Sequence, residues 1–348
     1  MTGRRRIKTI ILILVAAGLL AAFPFLRYYR WIFTSNTDLQ GKKEYHLYIP
    51  TGSEYNDVLD LLDEDGIIRN RQSFEWLAAR KNYPNHVYPG HYRLQPGMSN
   101  NRLISMLRAG SQEPVMLTFN NIRTIEQLAT IVSRQIEANR EDIIRLLNDR
   151  DFLDKLGLTP ATRIGIFLPD SYEFYWNTSA EQFINRMYRE YSKFWNRERL
   201  KKAEAAGLSP MEVMTLASIV DEEAIISEEE PAIAGVYMNR LRKGIRLQAD
   251  PTIKFANGDM NIQRVLKKHL VIDSPYNTYR YGGLPPGPIR IASLSAIMAV
   301  LDYQRHDYLY FCAKDDFSGY HVFARTLDQH NANARAYRKA LDKKKIYN

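Results

Sequence analysis

MTLASIVDEEA, residues 214–224, is the stretch on which the rest of the chain is read. Stepped at about 100° per residue, Leu216, Ile219, Val220 and Glu223 share one helix face. Thr215, Ser218 and Glu222 fall on another, and Asp221 lies nearer Met214 and Ala217. Three acids stand in a row, but only Glu223 continues the apolar stripe. A carboxyl on that stripe loses hydration, which disfavours its charged form and raises its pKa. An acid still protonated near neutral pH can hand a proton to a leaving group. Taken alone, the triplet DEE also reads as a solvated helix end. Upstream, Gly207-Leu208-Ser209-Pro210 is a helix start, with serine capping and proline in the first turn.

Beyond Glu223, residues 232–252 (AIAGVYMNRLRKGIRLQADPT) predict a second helix that Gly244 ends. An extended segment is expected to follow. On it Gln248, Asp250 and Thr252 would alternate and face one way. Three polar side chains on one side suit hydrogen bonding to hydroxyls and an acetamido group, or an exposed edge strand. PYNTY (275–279) and GGLPPGPI (282–289) are dense in proline and glycine and predict a rigid groove wall. YLYFCA (308–313) and GYHVFA (319–324) read as a hairpin bearing His321, and a terminal helix opens at Thr326.

Ahead of the helix, residues 166–179 (IFLPDSYEFYWNTS) gather aromatics around a proline, and residues 180–201 predict one long amphipathic helix. Further upstream, strand, helix, helix and strand are expected at 44–50, 55–65, 71–80 and 90–97, with another helix at 98–109. That order resembles a small LysM-like module, a glycan-binding type, and equally suits a structural spacer. Tyr48 and Tyr92 could stack on sugar rings or pack in a core. The N-terminus carries Arg4, Arg5, Arg6 and Lys8 before a charge-free run of about seventeen residues, 10–26. Tyr28, Tyr29 and Trp31 follow like an interfacial belt. The expectation is an uncleaved anchor, with its N-terminus in the cytoplasm and the body of the protein outside the membrane. Phe23, Pro24 and Phe25 disfavour a cleaved signal peptide.

The 348 residues carry a formal charge of +9. Such a balance suits anionic surfaces, but no nucleic-acid motif accompanies it. Cys312 is the only cysteine, so no intrachain disulfide forms. The seven histidines show no HExxH or other ligand spacing, and no phosphate loop is present, so no metal or cofactor is expected.

LASIVDEE, NRLRKGIRLQADPT, SPYNTYRYGGLPPGPI, YLYFCA and the TLDQHN helix, in that order, resemble the MltG (YceG-like) endolytic murein transglycosylases. The resemblance is strongest from about residue 166 to 331. It implies an α+β fold: a transmembrane helix (9–27) after a short cytoplasmic segment (1–8), a tether (28–43) and a LysM-like module (44–112). A connecting region (113–205) and a YceG-like catalytic domain (206–348) complete it. The family's catalytic glutamate maps onto Glu223 and the acid two residues before it onto Asp221, where glutamate is usual. The implied reaction cuts the β-1,4 bond between N-acetylmuramic acid and N-acetylglucosamine within nascent glycan strands and leaves a 1,6-anhydro end. Substrate positioning is expected of Gln248, Asp250 and Thr252, and of Asn277, Tyr279 and His321. Peptidoglycan strands, the membrane and peptidoglycan synthases are the implied partners. Two alternatives stand beside it: a hydrolytic muramidase using Glu223 and Asp250, and a non-catalytic wall-binding scaffold.

Overall fold

Among the described residues, nine helices begin with a capping residue that the sequence supplies. Asn70, Ser99, Thr124, Asn139, Asp149, Ser179, Asn196, Ser209 and Ser293 each accept a backbone N–H of the first turn. The structure is a computed structural model. It describes residues 2–262 and 264–343, without the side chains of residues 2–6, 15, 17–21 and 23.

The chain is mixed α+β and forms two units, Met1–Met116 with Gln135–Glu137 and Glu173–Thr178, and Leu117–Arg134 with Ala138–Tyr172 and Ser179–Asn348. The first holds α1 (Thr2–Phe33), β1 (Tyr45–Ile49), α2 (Tyr55–Glu64), α3 (Arg71–Arg80), β2 (Gly90–Leu94) and α4 (Asn100–Arg108). β1 and β2 pair antiparallel with Leu47 opposite Tyr92. Leu47, Leu62, Phe74, Tyr92 and Leu107 are fully buried at its centre. Tyr92 is therefore core, its hydroxyl donating to the Tyr88 carbonyl at 2.9 Å. Tyr48 remains exposed and stacks on His91 at 4.8 Å.

Two expectations in this unit change. Residues 28–43 are no tether. Helix α1 runs through Phe33, and Tyr28 stacks on Trp76 of α3 at 4.7 Å. Beyond it, Asn36, Thr37 and Leu39 are buried, and Met98 N–H donates to the Thr37 hydroxyl at 2.7 Å. A polar segment reads as free from sequence, but its side chains here replace water around buried backbone. Among the described residues no helix is long and apolar enough to cross a membrane. Arg4, Arg5 and Arg6 and part of the 10–26 run have side chains outside the described set.

β3 (Pro114–Phe119) and β4 (Asp170–Tyr175) pair and are divided between the two units, and the larger unit then holds α5 (Ile125–Val132), α6 (Arg140–Asn148) and α7 (Arg150–Lys155). Then come α8 (Ala180–Phe194), α9 (Arg197–Ala206), α10 (Pro210–Glu223), α11 (Glu230–Arg242), α12 (Asp250–Ala256) and α13 (Leu294–Leu301). The hairpin β5 (Tyr310–Ala313) and β6 (His321–Ala324) and the helix α14 (Leu327–Lys343) close the chain. The single helix expected over 180–201 is two. The backbone turns out of helix at Trp195, and the Asn196 side chain caps α9 by accepting Arg199 N–H at 3.0 Å.

Helix α10 lies at the centre of this unit. Val213 to Val220 are all buried, so the helix is enclosed on every side and not amphipathic. It packs against α11 and α13, and Leu168, Trp195 and Ala203 from the stretch expected only to connect join its core. Gly235 lets α11 approach the following chain. A Cβ there would lie 2.3 Å from the Gln304 carbonyl oxygen, so any larger residue would force the helix away.

Candidate active site

The end of α10 sorts its three acids by partner. Glu222 accepts Arg290 Nη1 at 2.6 Å and Arg123 Nη2 at 2.8 Å. Arg290 Nε also lies 3.1 Å from Asp221 Oδ2, and its Nη2 donates to Asn121 at 2.6 Å. These carboxylates and Arg290 are about nine-tenths buried, so each charge is compensated where water is scarce. Among the described residues no arginine pairs with Glu223. Its Oε1 accepts the hydroxyl of Tyr237, on α11, at 2.9 Å. Burial pushes the Glu223 acid up to about 7, against the pull of that hydrogen bond, and the nearby Asp250 charge adds to the rise. The segment GGLPPGPI is tied to the same helix, because Ile289 N–H donates to the Ser218 hydroxyl at 3.0 Å.

Glu223 faces a cavity of about 420 Å³. Its other walls come from Tyr237 and Arg240 of α11, Gln248 and Asp250, Tyr279, the β5–β6 hairpin and the start of α14. Of the residues picked from sequence, the structure brings Glu223, Gln248, Asp250, Tyr279 and His321 to this one space. Asp250 and Tyr279 are bound to each other, the phenol donating to Asp250 Oδ1 at 2.5 Å. His321 is held by Glu229, a buried carboxylate that accepts its backbone N–H at 2.9 Å and contacts its Nδ1 at 2.8 Å. Nε2 is thereby left as the ring's other polar atom.

Thr252 and Asn277 do not line the cavity. The expected extended segment is instead helical from Asp250, which removes the alternation that put Thr252 beside Gln248 and Asp250. Thr252 is fully buried, and its hydroxyl bonds to the Ala249 carbonyl at 2.7 Å and to Thr278 at 2.8 Å. Asn277 is also fully buried. Its amide donates to the carbonyls of Leu270 and Ile272, and its oxygen accepts the N–H of Tyr279 and Arg280. Both residues shape the wall from behind.

Sequence reading missed Tyr237, Arg240, Glu229 and His330. Arg240 is buried, yet it meets neutral acceptors: Nε donates to the Leu309 carbonyl, and Nη1 to the carbonyls of Arg246 and Leu247 and to Gln248 Oε1. Its plane also lies 5.0 Å from the Tyr310 ring centre. It clamps Gln248, whose φ of 52° is left-handed and costs a non-glycine residue about 1–2 kcal/mol. Strain beside an open cavity belongs to sites that fix a side chain for use. His330 stacks on Tyr310 at 5.4 Å, and burial lowers its pKa. Arg240 sat in NRLRKG and His330 in the TLDQHN helix, with Tyr237 and Glu229 further upstream, but nothing in their own spacing separates them from core. Among the described residues no cluster of three or more His, Cys, Asp or Glu could hold a metal.

A protonatable carboxyl, one neutral donor on it and a fixed cation nearby can give up a proton and then tolerate the resulting charge. The chain that carries this constellation is similar to proteins of one family. The model of the YceG-like family matches residues 47–336. An endolytic murein transglycosylase of Bacillus subtilis is 30% identical over 314 residues, covering 85% of each chain. The enzyme of the same name from Streptococcus pneumoniae serotype 2 is 28% identical over 356 residues, covering 93% of this chain and 64% of its own. A crystal structure of a yceG-like protein from Listeria monocytogenes, 29% identical, superimposes with a TM-score of 0.56 over 84% of this chain and 99% of that one. With its family match running from the first strand into the last helix, the chain belongs to the YceG-like family.

Proposed function

We propose that the protein is an endolytic peptidoglycan lytic transglycosylase with Glu223 as its single acid and base. The observation that carries this reading is the Glu223 carboxyl, raised to about 7 in a cavity and touched by one neutral donor. The relatives named endolytic murein transglycosylase support the reaction and its position within the strand.

In the first step the proton passes from Glu223 to the glycosidic oxygen between N-acetylmuramic acid and N-acetylglucosamine, and the muramyl C1–O4 bond breaks. Tyr237 occupies Oε1, so Oε2 is the oxygen that carries the acid proton. The muramyl acetamido oxygen assists at C1. The Glu223 carboxylate, steadied by the Tyr237 hydroxyl, then takes the proton of the muramyl 6-hydroxyl, and O6 bonds to C1. Glu223 ends as it began, and no water enters the product. Gln248, Asp250, Tyr279 and His321 hold the sugar around that bond.

Asp250 in the same cavity supports one other reading, hydrolysis with a second carboxylate. Its bond to the Tyr279 phenol favours a positioning role. Mass analysis of digested glycan decides between them. Products carrying 1,6-anhydro ends support lytic transfer, reducing ends one water heavier support hydrolysis, and undiminished digestion by Glu223→Gln overturns both.

The 10–26 run anchors the chain in the cytoplasmic membrane with the catalytic unit outside, where new strands leave the synthases, and cutting there limits strand length. The β1-α2-α3-β2 unit is a LysM-like glycan contact, with exposed Tyr48 and its stacked His91 as the sugar platform. Longer glycan strands on deletion of the gene are the expected result.

A further inference from the structure

A second cavity, of about 610 Å³, lies in the smaller unit against the end of α1. Arg27 and Arg30 of α1 and Arg69, just before α3, stand around it, and no aspartate or glutamate lines it. Arg27 and Arg30 are three residues apart and share a helix face. Of the three, only Arg69 has a carboxylate partner among the described residues: Asp38, at 3.2 Å in an exposed pair. Two positive charges are therefore in excess.

The arginines are placed, not loose. The Arg27 guanidinium lies 4.5 Å from the Trp31 ring centre, and Trp31 meets Trp76 of α3 edge-on at 5.6 Å. The negative end of α1 is covered. The Arg30 carbonyl accepts the Thr34 hydroxyl, and the Trp31 carbonyl accepts the Asn100 amide at 2.8 Å. Behind them Asn36 and Asn100 are buried and bonded to each other at 2.7 Å, so the floor is polar and already satisfied. The unmet demand is for negative charge at the mouth.

Position names the source of that charge. The cavity begins at Leu26, the last residue of the charge-free run, and Arg27 to Arg30 span less than one further turn of about 5 Å. With the run in a bilayer, this level is the headgroup layer. Arginine is the side chain suited to phosphate oxygens, and Phe25 and Leu26 offer exposed apolar surface just below. We propose that the cavity binds the phosphate headgroup of an anionic membrane lipid, its acyl chains lying along α1. The site rests on the anchor reading above and is independent of the catalytic one.

The test uses the full chain in neutral detergent, titrated with short-chain phosphatidylglycerol, short-chain phosphatidylcholine or inorganic phosphate. Tryptophan emission is the readout, with Trp31→Phe to assign the signal. Phosphatidylglycerol should give a saturable change that Trp31→Phe removes, and Arg30→Gln with Arg69→Gln should weaken it roughly 10- to 30-fold. Equal response to phosphatidylcholine, or an unaffected double variant, overturns the site. An equal response to inorganic phosphate shows a free-anion site and overturns the lipid. Flotation of the full chain with neutral vesicles tests the anchor separately. If the chain fails to float, the anchor fails, whereas floating without phosphatidylglycerol selectivity sinks the headgroup site alone.

Discussion

The two faces of the α10 end hold the same chemical group in opposite settings. On one, Asp221 and Glu222 are buried against Arg290 and Arg123. On the other, Glu223 faces a cavity with a phenol for a partner, and burial pushes it up to about 7. A carboxylate's character here is decided by which cation reaches it, and the arginines reach two of three adjacent acids.

Glu223→Gln breaks the comparison most severely. Anhydro-ended product should form about 10⁴-fold more slowly, the upper range for loss of an acid–base group. Stability supplies an independent check. The Glu223 pKa is raised in the folded state, so its ionised form weighs against folding as pH rises from about 4.5 to 7. Glutamine removes that penalty. Urea melts should show the variant gaining up to ~3 kcal/mol over wild type at pH 8, and little below pH 4.5.

Arg290→Met attacks the other face. It leaves Asp221 without a cation and Glu222 with Arg123 alone, and should cost about 3–5 kcal/mol in denaturant melts. A loss under 1 kcal/mol would mean that Arg290 is not needed for stability.

Tyr237→Phe sharpens the contrast without removing either acid. The lost hydrogen bond had favoured the ionised form, so the Glu223 pKa should climb further by about one unit. Activity, which needs the protonated acid, should then hold to higher pH, its alkaline limb displaced upward by that unit. A limb that stays in place would separate Tyr237 from the catalytic proton. The smallest expected effect is that of Tyr279→Phe, which frees Asp250 from its donor. It should raise KM about threefold to tenfold with kcat nearly kept, as befits a hydrogen bond made equally before and during reaction.

Much of the local structure was legible. The strands and helices of the first unit appear close to the expected positions, because each has a capping or turn residue at its boundary. The hairpin carrying His321 was legible from its alternation. The illegible parts share a cause. Residues 250–256 form a helix whose Thr252 fastens to Thr278, a partner 26 residues on. Asn277 resembles a surface turn residue until four backbone groups around it are seen to need its amide. Tyr237 and Arg240 look like helix filler until α11 is laid beside α10.

By itself, the amino-acid order determined that a capped helix would end in three acids and that a hairpin would follow, whereas the helix is buried on every side and the segment 282–289 does not line the cavity. The capped helix and the hairpin depend on periodicity, caps and prolines within a few residues. Tertiary structure alone decided which acids meet arginine, across separations of 68 and 99 residues, and which one faces the cavity with a phenol. Desolvation and charge compensation depend on distance in space, and folding sets that distance without regard to position along the chain.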